Sequence, residues 1–110
     1  MTEKIIEVEG VRVKINPAPA TVGYDVALRF REAMGGKDSK SDAKEIQACT
    51  FDLLKYCEID LGDGRWAKLD SKDFIDQHFH SPKSIIELQA GVMEVNFGFL
   101  ADSVPSNSSK

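Results

Sequence analysis

Apolar and polar residues alternate from residue 4 to residue 15, in "KIIEVEGVRVKI", on both sides of Gly10. Ile6, Val8, Val11, Val13 and Ile15 fall on one face, and both arms are rich in β-branched side chains. The spacing predicts a β-hairpin turning at Glu9-Gly10. "NPAPA" ends it, because proline cannot donate to a strand ladder. The period then changes. Val22, Val26, Phe30 and Ala33/Met34 recur at helical spacing, predicting a helix over 20–34 with Thr21 as its cap and Gly35-Gly36 as its stop. A second helix is expected from Asp42 to about Tyr56. Ser41 or Asp42 would cap it, Glu45 would complete a capping box, and Ile46, Cys49, Leu53 and Tyr56/Cys57 would be buried.

Between these helices, "GGKDSKS" holds no large apolar residue and reads as a connecting loop. "CEIDLGDGRWAKL" predicts a second hairpin, with Asp63-Gly64 as a two-residue turn whose central residues both take positive φ. Ile59 and Leu61 would face Trp66 or Ala67 and Leu69. A short helix follows, capped by Asp70 or Ser71, with Phe74, Ile75, His78 and Phe79 on one side. Ser81 as cap and Pro82 as first helical residue restart the chain in a last helix, expected to run to about Phe97. It carries two adjacent stripes. One is Ile85, Leu88, Val92 and Phe99; the other is Ile86, Met93, Phe97 and Leu100. That apolar arc is wider than one packed face requires. In "NFGFL", Gly98 reads as a helix end, and Asn96 shares a stripe with Val92, where its amide could bond a loop or cap carbonyls if buried.

The fold class expected is therefore α+β. Two antiparallel β-hairpins pack with three main helices and one short helix in a single domain over 1–101, followed by a disordered polar tail over 102–110.

A length of 110 residues fits one such domain. The formal net charge of -4, with basic and acidic residues interleaved, argues against a nucleic-acid partner. No run of about 18 apolar residues is present, so no membrane partner is expected, and with no leader-like segment the chain is expected in the cytosol. Cys49 and Cys57, eight apart on one expected helix, are too far apart for a disulfide and read as buried small apolar groups.

Candidate chemistry changes this picture little. "HFH" places His78 and His80 two apart, which on a helix end points them in different directions rather than at one metal. Asp70, Asp73 and Asp76 sit in the first turns of a helix, where acids favour the dipole. "DLGDG" departs from a calcium-loop spacing. No catalytic, cofactor-binding or metal residue is expected. Trp66 leaves two readings open, a half-buried core plate or an exposed aromatic anchor for a partner.

Several segments in fixed order resemble the tail assembly chaperones of long-tailed bacteriophages and prophages. They are Leu54-Lys55-Tyr56 at a helix end, the hairpin from Asp63 to Leu69, the short helix from Ile75 to His78, and a long helix closing on Asn96 to Phe99. The likeness covers roughly residues 42 to 100, and none of its motifs is chemically demanding. It implies a non-catalytic role in the host cytoplasm: binding the tape measure protein, recruiting tail tube (major tail) subunits, self-associating, and being absent from the mature virion. In many members a programmed frameshift adds a second domain, and this chain would be the short product. Trp66, Phe97, Phe99 and Leu100 are the partner-binding residues this reading selects. A structural phage component, such as a head–tail joining or tail-completion protein, is the alternative. An unrelated cytosolic enzyme would require an acid–base site at Asp73, Asp76 and His78.

Overall fold

Both hairpins turn on two left-handed residues. Glu9 and Gly10 have φ of 52° and 76°, and Asp63 and Gly64 have φ of 57° and 75°. These are the mirror-image turns whose twist matches paired strands. A computed structural model describes the backbone of residues 3–35 and 39–103, and the side chains of 3–35 and 42–98.

Strands β1 (Lys4–Val8) and β2 (Val11–Ile15) pair in the expected register, with Ile6 opposite Val13. β3 (Glu58–Gly62) and β4 (Arg65–Lys68) pair Ile59 with Ala67 and Asp60 with Trp66. An irregularity between Asp60 and Gly62 pushes Leu61 out of register, and Leu61 is exposed rather than facing Leu69. The hairpins are not separate. β2 pairs with β3 through Val13–Ile59 and Lys14–Glu58, giving one antiparallel sheet in the order β1-β2-β3-β4. Asn16 holds this junction, donating from Nδ2 to the Tyr56 carbonyl at 2.9 Å.

The two helices between β2 and β3 form a helical hairpin. α1 (Ala20–Met34) has the expected bounds and buries Val26 and Ala33, but Met34 points to solvent. Thr21 is not its cap. Pro19 holds that position without a side-chain hydrogen bond, and Gly35 ends the helix. α2 (Ser39–Leu54) starts and stops earlier than the sequence suggests. Glu45 forms no capping box and instead accepts from Arg29. After Leu54 the chain tightens through Tyr56 and Cys57, whose N–H groups reach Leu53 and Leu54 carbonyls at 3.2 and 2.9 Å. Cys57 therefore leads into β3 rather than extending the helix. α3 (Lys72–His78) is capped by Ser71, whose Oγ accepts from the Phe74 N–H at 3.1 Å.

α4 (Pro82–Ser103) lies on one face of the sheet. Gly91 permits the approach: a Cβ there would stand 3.3 Å from Ile6 Cδ1 and 3.5 Å from Ile15 Cδ1. One core joins the sheet and helices, with Val13, Ile15, Val26, Cys49, Leu53, Ile59, Leu88 and Val92 all fully buried. The helix does not end at Gly98. It continues to Ser103, because Gly98 keeps helical geometry when neighbouring turns supply the hydrogen bonds. Residues 104–110, the rest of the expected polar tail, lie outside the described residues.

Candidate functional site

A groove of about 540 Å³ lies between α2, the α3–α4 linker and the first turns of α4. Ile46 and Phe51 line it from α2, Phe79 and Pro82 from the linker and helix start, and Ile85 and Ile86 from α4. Ile86 is 64% exposed, an unusual position for an isoleucine beside other apolar walls. The polar groups beneath are already paired. Thr50 donates to the Ile46 carbonyl at 3.0 Å and accepts from Gln89 Nε2 at 2.8 Å, which also ties α2 to α4. The groove therefore offers apolar contact along its walls, with the exposed side chains of Gln47, Asp76 and His80 beside them.

Its α4 wall is fixed from the far side of the fold. The Glu9 carboxylate accepts from the backbone N–H groups of His80 at 2.7 Å and Ser81 at 3.2 Å, and from Ser84 Oγ. His80 Nδ1 stands 3.4 Å from the other carboxylate oxygen. A carboxylate at a helix start meets free donors and the positive end of the dipole. The Ser84 hydroxyl first, then the His80 amide, hold the Glu9 carboxyl below its usual range.

Of the four residues Trp66, Phe97, Phe99 and Leu100, the first two stand on opposite sides of the sheet. Trp66 is half-buried but does not join the core cluster. Asp60, its cross-strand partner, and Trp66 project from the sheet face opposite α4, where Lys14 Nζ lies 4.4 Å and the Arg12 guanidinium 5.7 Å from the indole ring. Arg12 also pairs with Asp60 at 3.2 Å. Phe97 is half-buried against the core on the other side of the sheet. Phe99 and Leu100 lie on the α4 backbone, but their side chains fall outside the described residues.

The comparisons with known proteins were negative. No protein-family model, no curated protein and no solved structure matches the chain.

The remaining candidate chemistry is occupied by packing. Both cysteines are buried and unpaired with each other. Burial raises both thiols, Cys57 to about 11, so they stay protonated at neutral pH. His78 places Nδ1 3.0 Å from the Phe74 carbonyl and its ring against Phe74, while His80 belongs to the Glu9 contact. No group of three metal-ligating side chains occurs among the described residues. Asp70, Asp73 and Asp76 are exposed, with Asp76 on the groove rim. Among the described residues no helix is long and apolar enough to cross a membrane.

A second surface was missed in the sequence. Tyr24, Leu28 and Met34 on α1 are 69%, 45% and 65% exposed. Their spacing was available, but the stronger stripe through Val22, Val26 and Phe30 occupied the helical pattern. Beside them Arg29 joins α1 to α2, donating to Glu45, to Asp52 at 2.8 Å and to Asp25 at 3.2 Å. The Glu45 bond, then that to Asp52, raises the Arg29 guanidinium further above its ordinary value, keeping it charged.

Proposed function

We propose that this chain is a non-catalytic tail assembly chaperone of a long-tailed phage or prophage. It binds the tape measure protein and recruits tail tube subunits in the host cytoplasm, and it leaves before the virion is complete. The observation that carries the reading is the fixed order of Leu54-Lys55-Tyr56, the Asp63–Leu69 hairpin, Ile75–His78 and Asn96–Phe99 along the chain. The apolar groove supports it, because a chaperone for a long helical client needs apolar surface that is tolerable when free and useful when covered. The Thr50–Gln89 bond pairs Thr50 on the groove's floor, so covering that part strands no hydroxyl.

Co-expression with the tape measure and tail tube proteins encoded beside it tests this reading. Both are expected to co-purify with the chain or with a frameshifted longer form. Ile86→Asp, at an exposed position, is expected to leave folding intact and to weaken tape measure capture by roughly tenfold or more, given about 1.5–3 kcal/mol for a buried apolar side chain. Co-purification of neither protein would overturn the proposal.

A further inference from the structure

α1 is apolar on two sides. At about 100° per residue, Val22, Val26, Phe30 and Ala33 point inward, while Ala20, Tyr24, Ala27, Leu28 and Met34 share an outer arc of roughly 120°. The inner set is buried or half-buried, and Tyr24, Leu28 and Met34 of the outer set are exposed. α1 packs mainly on α2, and nothing in the described residues covers its outer arc. Arg31 lies within that arc, where its methylene stem extends the apolar surface and its head reaches solvent.

One edge of the arc is acidic. Asp25 and Glu32 are seven residues apart on the same side of α1, and both are exposed. Across the seam stand Glu45 and Asp52 of α2. Three of these four carboxylates, Asp25, Glu45 and Asp52, pair with Arg29 or with Lys55, the latter 3.6 Å from Asp52, while Glu32 lies at the edge of the arc that holds Arg31. Arg29 is already shared among three of them, so its charge is spent inside the seam.

We infer that the outer face of α1 binds an amphipathic helix of the client protein, one whose apolar stripe is bordered by lysine or arginine. Tyr24, Leu28 and Met34 receive the stripe, and Asp25 and Glu32 receive the basic edge. A second copy of this chain docked antiparallel is a poorer occupant. In a two-fold antiparallel helix pair each edge meets its own copy, which sets Asp25 and Glu32 against like charges. The inference deepens the chaperone reading and rests on it for the protein to which the helix belongs.

The test uses two labelled, stapled helical peptides of about 15 residues, roughly the 22 Å length of α1. They share one leucine stripe and differ only in a lysine or glutamate edge. Fluorescence anisotropy against the full chain is expected to show the lysine-edged peptide binding about tenfold more tightly, with the difference shrinking as salt is added. Leu28→Ser, outside the core, is expected to weaken that peptide about tenfold, and Glu32→Gln about threefold. Equal affinity for both peptides, binding of neither, or indifference to Leu28→Ser would overturn the inference. So would concentration-dependent self-association that Leu28→Ser abolishes. If the peptides are discriminated but no tape measure is captured, the chaperone reading fails and the helix-binding face stands. If the tape measure is captured without peptide discrimination, the face fails and the chaperone reading stands.

Discussion

Asn96 Oδ1 accepts from the backbone N–H of Ala18 at 2.8 Å, and Nδ2 donates to the Val92 carbonyl at the same distance. The side chain is only 3% exposed, so water cannot replace either partner. Asn96→Ala strands the Ala18 N–H and is expected to lower stability by about 1–3 kcal/mol, read as a fall in the urea midpoint at unchanged slope. That a buried Asn96 would need such bonds was legible from its position on the Val92 stripe. That its acceptor meets Ala18, far away in sequence, was not, since no local pattern encodes that contact. Glu9 makes the same point with a charge. Its carboxyl is held below the usual range, so its contribution is present above the unfolded-state value and is lost as pH falls through the folded one. Glu9→Gln is expected to be less stable than the parent at neutral pH. Thermal unfolding followed downward in pH should show that gap narrowing below the ordinary carboxylate range, because protonation removes the same charge. A gap that stays constant would mean that the Glu9 charge does not hold α4. Glu9 was recognised as a turn residue, and its bond to the α4 start depends on a sheet–helix approach that sequence spacing does not reveal.

The elements followed local pattern where one physical preference dominated and departed from it where preferences competed. The turns at Glu9-Gly10 and Asp63-Gly64 and the bounds of α1 came from strong signals: positive-φ residues and a clean helical stripe. Ser71 and Pro82 likewise set the starts of α3 and α4. The end of α4 was misread because glycine marks helix ends more often than interiors. Here Gly98 is simply a costly interior residue. Among the described residues, a Cβ at Gly98 would meet only Glu94 Cγ, at an ordinary 3.9 Å. Gly98→Ala is therefore expected to raise stability by about 0.5–1 kcal/mol, visible as a higher melting temperature. Destabilisation would show that residue 98 is not helical in solution. Joining the two hairpins through β2 and β3 was invisible to local reading, because Val13 and Ile59 are brought together only after α1 and α2 fold back between them.

At the scale of the molecule, apolar surface is left open on two helical faces while the sheet's outer face carries Trp66 among mixed charges. Ile86 lies in the α2–α4 groove, and Tyr24, Leu28 and Met34 lie on α1. The sequence showed too wide an apolar arc on α4, and that arc does open into the groove at Ile86. It put the partner residues at Trp66, Phe97, Phe99 and Leu100, and did not single out Ile86 or the outer face of α1, because the exposure of an isoleucine or leucine inside a helical stripe depends on what packs beside it. A surface of this kind suits transient occupation by a helical client, which is what the proposed role demands. Quantitative mass spectrometry of tail-assembly intermediates and finished particles from one infected culture tests that role most directly. The account predicts the chain in stoichiometric amounts with the tape measure protein in intermediates and its absence from purified virions. Retention of the chain in virions at a fixed copy number would contradict it and identify a structural component of the particle.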